Sequence, residues 1–267
     1  MRAALLEAVH RGRAVLEGPG GAAVDAVQAS IQYMEDECEF FNAGRGSALC
    51  ADGTVEMSAA MMRGSDRAAG AAALVRRTRQ PIAAARAVLE RSPHVLIAGH
   101  ATDTFAAGHG LEQRERSYFV TDHQLGRLEQ GGSDFERGTV GAVCVDSHGE
   151  LIAGTSTGGR RGQMPGRVGD TPLIGAGTWA DARVAISCTG EGEAFIRAAA
   201  AHQVAVRLAA GATLHQAAAD TLHDIGTVDG VGGLIAVDAD GEVTMPFTTA
   251  VMNRAVWRAG ETPEVWV

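Results

Sequence analysis

At residue 139 the texture of the chain changes, and the change limits what the two halves can become. A polar, glycine-bearing approach, Gly131-Gly132-Ser133-Asp134-Phe135-Glu136-Arg137-Gly138, leads to Thr139, and an apolar strand follows over residues 140–145. The turn Asp146-Ser147-His148-Gly149 returns it as a second strand, 151–156, so the pair reads as a hairpin. Residues 234–237 and 243–247, joined through Asp238-Ala239-Asp240-Gly241, read as another. Both hairpins are apolar at consecutive positions, which requires cover on both faces. A strand at 184–187 and helices at about 193–210 and 214–225 lie between them. Strands packed together with helices outside them make a layered α+β architecture.

Upstream, helical spacing puts Leu5, Leu6, Val9 and Leu16 on one face of a helix over 2–17, ended by Gly18-Pro19-Gly20-Gly21. Val24, Val27, Ile31 and Met34 mark a second helix over 22–37. Residues 54–62 and 68–75 read as paired strands, 81–91 as a helix opened by Pro81, and 95–98 as a short buried strand. Short helices are expected at 102–107 and 122–129. The segment 131–138 has linker chemistry but is short, so it joins two parts of one domain over 1–267.

A net charge of −9 with no basic stripe argues against nucleic acid as a partner. Cys38, Cys50, Cys144 and Cys188 lie far apart without Cys-x-x-Cys spacing, which fits a reduced compartment. The N-terminus is broken by charge too early for a signal peptide, and no apolar run approaches the ~18 residues of a membrane span. A soluble, cytoplasmic protein without a membrane partner is expected.

Thr139 becomes a nucleophile with its own base if the peptide bond before it is cut. Its hydroxyl would attack the Gly138 carbonyl, giving an ester that water opens. Gly138 suits that step because it lacks a Cβ and tolerates strained backbone. The freed amine, with an unperturbed pKa of about 7.7–8.0, would be partly neutral near pH 7. Thr139 is equally an ordinary strand residue by type. Strand alternation puts Thr155 and Thr157 on one face and Ser156 on the other, so Thr157 can hydrogen-bond Thr139 or be one more strand threonine. Arg167 and Asp170, on a Pro/Gly-rich loop, suit either a clamp for the α-carboxylate and α-ammonium of an amino acid or a surface ion pair. Thr189, Gly190 and Gly192 precede a helix, whose free N–H groups suit an oxyanion or a plain helix start.

Competing patterns fail in context. Gly154-Thr155-Ser156-Thr157-Gly158 fits G-x-S-x-G, but no helix follows the serine. Gly175-Ala176-Gly177-Thr178-Trp179-Ala180 fits G-x-G-x-x-A, but a strand follows. The nine histidines show no metal-ligand spacing, and the 238–241 turn lacks the calcium-loop pattern.

The joint order of the stretches FNAG (41–44), SPHV (92–95), GTVGAV (138–143), GTSTGG (154–159), PGRVGD (165–170), PLIGAG (172–177) and CTGEGE (188–193) resembles the threonine-dependent, plant-type asparaginase and isoaspartyl peptidase family of N-terminal-nucleophile hydrolases. The resemblance implies a four-layer αββα sandwich that cuts itself into an α chain, 1–138, and a β chain, 139–267, two such heterodimers associating. The implied activity is an amidohydrolase acting on β-aspartyl (isoaspartyl) peptides and L-asparagine; the alternative is a non-catalytic or unprocessed homologue. Thr139 would be nucleophile and base and Thr157 its assistant. Arg167 and Asp170 would hold the substrate's α-groups, Thr189 and the Gly190 N–H would meet the oxyanion, and the Gly192 carbonyl would meet the ammonium. No cofactor is implied; a loop like Glu35 to Asn42 binds a structural sodium ion in relatives. Family members begin with a strand leading into a His-Gly-Gly loop, and this chain starts after it. Ser58 and Arg63 stand where relatives usually carry aspartates near the substrate, and Glu191 stands at a variable position suited to tuning substrate choice.

Overall fold

The architecture, seen in a computed structural model, is described over residues 1–37, 40–130 and 138–267. Helices α1 (Arg2–Leu16) and α2 (Ala23–Asp36) come first, close to the expected bounds. Helix α2 carries no cap of its own: Asp146, from the distant 146–149 turn, accepts the Ala23 N–H at 3.0 Å, putting a carboxylate on the positive end of the helix. Strands β1 (Met57–Arg63) and β2 (Ala69–Val75) form an antiparallel pair, followed by α3 (Pro81–Arg91), β3 (Leu96–Ala98), α4 (His100–Gly108), α5 (Arg116–Phe119) and α6 (Asp122–Gln130). After the 139 junction come β4 (Val140–Val145), β5 (Leu151–Thr157), β6 (Thr178–Ala180), β7 (Val184–Gly190), α7 (Gly192–Ala198), α8 (Ala200–Ala209), α9 (Leu214–Gly226), β8 (Gly232–Asp238), β9 (Val243–Thr244), β10 (Arg254–Val256) and β11 (Glu264–Trp266).

One sheet runs β3-β2-β1-β5-β4 and a second runs β6-β7-β8-β9, with β10–β11 a separate hairpin. Strand β4 therefore joins a sheet whose other half comes from before the junction. Helices α2 and α3 pack on the first sheet, with α1 laid against α2; α8 and α9 pack on the second, and β4 and β5 lie against β7. The consecutive apolar positions of β5 are explained by this cover, since all seven of its residues are buried. On the α2 side the approach is close: a Cβ on Gly154 would lie 2.6 Å from Val27 and 2.8 Å from Ile31. On the other side Thr155 Oγ1 shares hydrogen bonds of 2.8 Å with Ser187 and 2.7 Å with Thr178. The apolar contacts between the sheets come from Met62, Leu151, Ala153, Ala185 and Val237.

Three expectations need correction. The helix expected over 193–210 is broken at Ala199, which sits at φ 47° in the left-handed region. No Gly or Pro announces the break; instead the first-turn N–H groups of Ala201 and His202 bond to the carbonyls of Ala176 and Gly175 at 3.0 and 2.9 Å. The strand expected to be buried over 95–98 is an exposed sheet edge, parallel to β2, with Val95 50 % and Leu96 41 % exposed. Its one ladder neighbour is β2, so an apolar run here marks an edge rather than a core strand. The second hairpin's return strand shrinks to Val243–Thr244, with the Pro246 carbonyl then accepting the Leu234 N–H.

Strand β4 forms the other edge of the five-stranded sheet. Along it lies a cavity of about 450 Å³, bounded by α1, β8 and β10, with Thr139, Thr189 and Glu191 also in its wall. Among the described residues no helix is long and apolar enough to cross a membrane.

Candidate active site

The β4–β5 register decides which hydroxyls meet. Val140 pairs with Ser156, so Thr139 stands opposite Thr157, and the Thr139 hydroxyl donates to Thr157 Oγ1 at 3.1 Å. A slip of one residue would bring Ser156 there and send Thr157 to the other face. Thr157 Oγ1 also accepts the Gly159 N–H at 3.1 Å. The turn carrying Gly159 is held in place by Asn42 of the FNAG stretch. Its carbonyl accepts the Gly158 N–H at 2.9 Å, its amide donates to the Gly159 carbonyl at 2.7 Å, and its Oδ1 accepts the Ala48 N–H at 2.8 Å.

Gly138, Thr189 and Gly190 converge on the same place from the other side. A Cβ on Gly138 would lie 2.8 Å from Thr189 Oγ1, so glycine lets the junction carbonyl approach that hydroxyl. Thr189 and Gly190 end β7, in register with Gly233 and Gly232, and helix α7 begins at Gly192. Glu191 is half-buried beside them on the cavity wall.

Arg167 and Asp170 come together around Gly192, whose Cβ would lie 2.9 Å from both Arg167 Nη2 and Asp170 Oδ1. They are not a surface ion pair. The carboxylate on Arg167 is that of Glu193, bidentate at 2.9 Å (Nε) and 2.8 Å (Nη2), and this holds the Glu193 carboxyl below its ordinary pKa. Asp170 is buried, its Oδ2 has no hydrogen-bond partner among the described residues, and burial pushes its pKa up to about 6 against the pull of Arg167. A buried carboxyl with an unpartnered oxygen beside a guanidinium suits a cationic guest with its own carboxylate. These residues do not line the β4 cavity; they sit beyond Gly190 and Gly192.

Three contributors escaped the sequence reading. Glu193 was only the end of a motif. Gln163 was part of a featureless loop. Glu56 is a buried acid between Val55 and Met57; it accepts the Gly166 N–H at 2.6 Å and pairs with Arg76, anchoring the loop before Arg167. An acid inside an apolar run was the available signal for Glu56.

Other candidates fall away. Ser156 is buried on the opposite face and donates to Glu35 at 2.6 Å. The Gly175–Ala180 stretch leads into strand β6, not a helix. Cys144 is held as a thiol, its pKa pushed up to about 12 by burial. Ser58 lies beside Thr157 in the β1–β5 register, but Arg63 is at the far end of β1, paired with Asp66 at 2.8 Å, so it does not stand near the substrate side. The loop from Glu35 to Asn42 includes Cys38 and Glu39, which lie outside the described residues. Glu35 Oε1 accepts from the Ser156 hydroxyl at 2.6 Å and the Ile82 N–H at 2.9 Å, its Oε2 has no hydrogen-bond partner among the described residues, and burial pushes the carboxyl's pKa up to about 8.

Comparison with known proteins gives the family. The isoaspartyl peptidase of Salmonella typhimurium (strain LT2) is 41% identical over 278 residues, covering 97% of this chain and 88% of that protein. The isoaspartyl peptidase of Escherichia coli (strain K12) is 41% identical, covering 97% and 86%. The isoaspartyl peptidase/L-asparaginase of Bos taurus is 38% identical over 272 residues, covering 98% and 88%. A family model described as Asparaginase matches residues 1–267, and the chain belongs to that family.

Proposed function

We propose that this protein is an isoaspartyl peptidase and L-asparaginase that makes its own nucleophile by cleavage between Gly138 and Thr139. The observation that carries the reading is the Thr139–Thr157 hydroxyl pair at the mouth of β4, with Gly138 pressed toward Thr189. The relatives' names supply the substrate class.

In the unbroken chain the Thr139 hydroxyl attacks the Gly138 carbonyl and the acyl group moves from nitrogen to oxygen. Water then opens the ester, leaving a carboxylate on Gly138 and a free amine on Thr139. That amine takes the proton of the Thr139 hydroxyl, which attacks the β-carbonyl of the substrate, and later returns it to the departing amine or ammonia. Thr157 Oγ1, itself polarised by the Gly159 N–H, orients the attacking oxygen. Thr189 Oγ1 and the Gly190 N–H face the developing oxyanion. Arg167 takes the substrate's α-carboxylate; Asp170 and the Gly192 carbonyl take its ammonium. Water opens the resulting ester to release aspartate.

Nucleophile and base both belong to Thr139, so the reaction asks for no cofactor. The architecture is read as the four-layer αββα sandwich of N-terminal-nucleophile hydrolases, one domain whose two cleavage products stay together and associate in pairs, in the cytoplasm. Intact mass tests the reading directly. The purified protein should give two fragments, 1–138 and 139–267, and hydrolyse β-aspartyl-leucine, whereas Thr139→Ala should stay as one chain and do neither. A single uncut chain, inactive on that dipeptide, ends the proposal.

A further inference from the structure

We infer that Gln163 is a positioning residue for this reaction: its side-chain oxygen ties Arg167 to the turn that orients Thr139, and so sets where a substrate's α-carboxylate sits relative to the attacking hydroxyl. The inference rests on the function proposed above.

The connection is a chain of hydrogen bonds. Thr139 Oγ1 donates to Thr157 Oγ1, which accepts the Gly159 N–H. The next N–H along, that of Arg160, donates to Gln163 Oε1 at 2.9 Å, and Arg167 Nη1 donates to the same oxygen at 3.2 Å. Gln163 is buried and fixed at each end. Its N–H bonds the Arg160 carbonyl at 3.1 Å and its carbonyl accepts the Ala51 N–H at 2.9 Å. Its amide lies flat over Gly159, where an added Cβ would come within 2.3 Å of Oε1. The Nε2 end rests on Cys50 Sγ at 3.8 Å.

The arithmetic of the guanidinium gives the link its consequence. Arginine carries five N–H donors. Glu193 takes one from Nε and one from Nη2, and Gln163 takes one from Nη1. One donor is left on each terminal nitrogen, the pair that a single incoming carboxylate accepts side by side. Glu193 holds the guanidinium along its Nε–Nη2 edge, and Gln163 holds the opposite terminal nitrogen. The second anchor refers Arg167 to the Thr157–Gly159 turn rather than to helix α7 alone. A site that must reach one carboxylate and one carbonyl of the same small molecule depends on that spacing.

The test uses the full chain and steady-state kinetics. Gln163→Met has the same length without the oxygen; Gln163→Asn keeps an amide but withdraws it by one methylene. Each should raise the KM for β-aspartyl-leucine about tenfold, as for loss of one hydrogen bond to a charged group, with kcat within about threefold. For the same dipeptide with its aspartyl α-carboxylate capped as an amide, kcat/KM should not change between parent and variants, since the Arg167 fork has nothing to hold. Cleavage at Gly138–Thr139 should go to completion in both variants. An unchanged KM, or an equal loss on both substrates, overturns the inference, because a purely structural role for Gln163 would not distinguish the two. Unvaried protein that fails to hydrolyse β-aspartyl-leucine overturns the functional reading first, and this inference with it.

Discussion

The Thr157 oxygen accepts two hydrogen bonds, one from Thr139 and one from Gly159. Thr157→Val keeps the β-branched shape and removes that acceptor, so turnover of β-aspartyl-leucine should drop by roughly tenfold or more while the thermal midpoint moves little. Asp170 gives the clearest pH signature. Its pKa rises from 3.8 to about 6 because burial disfavours the charge. Between those values the folded chain holds a proton that the unfolded chain has lost. Its contribution to stability is therefore present below about pH 4 and lost as pH rises through about 6. Activity runs the other way, because an ammonium needs the ionised carboxylate, so kcat/KM should climb through a limb near pH 6. Asp170→Asn should remove that limb, lower kcat/KM at pH 8, and flatten the stability slope between about pH 4 and 6, all read from a pH–rate profile and urea midpoints. Thr139, Thr157, Arg167 and Asp170 were legible as candidates by residue type, where hydroxyls and opposite charges stood at suggestive places, and the fold does bring Thr139 to Thr157 and Arg167 to Asp170. Glu193 and Gln163 were not, because their importance lies in which donors they occupy on a neighbour far along the chain.

At the scale of elements, Ala199 marks where local rules were overridden. A left-handed alanine costs roughly 1–2 kcal/mol, offset here by the bonds that α8's first turn makes to residues 175 and 176. Ala199→Gly should therefore stabilise the protein by up to about 1 kcal/mol, seen as a higher urea midpoint at unchanged m-value. The Asp146 cap on α2 works in the opposite sense: Asp146→Ala should cost about 1 kcal/mol by the same measurement, although the residue looks like a plain turn former in sequence. Helix α3 and the pairing of β1 with β2 followed directly from Pro81 and from runs of small apolar residues. The break at 199, the exposure of β3 and the β10–β11 hairpin did not, since each depends on what packs alongside.

For the molecule as a whole, the junction at 139 is a seam inside a sheet rather than a boundary between bodies. Residues 58–63 of β1 pair with 152–157 of β5, and 140–145 of β4 pair with the other side of β5. Cutting the backbone at Gly138 leaves those ladders intact. The two fragments should therefore elute together from a sizing column under native conditions and separate only in denaturant; fragments that part without denaturant would contradict this topology.

By itself the sequence determined the hairpin that opens at Thr139, the alternation that puts Thr157 and Ser156 on opposite faces, and a layered α+β arrangement. These follow from local chemistry, the period of a strand and the placement of glycine and charge, which a reader of residues in order can follow. The tertiary structure decided that β5 lies between strands from both sides of the junction, that Gly192 brings Arg167 and Asp170 together, and that Glu193 and Gln163 share the guanidinium between them. Each is a meeting of groups distant along the chain, fixed by register and by which buried donors find acceptors, and neither is written in any single stretch of residues.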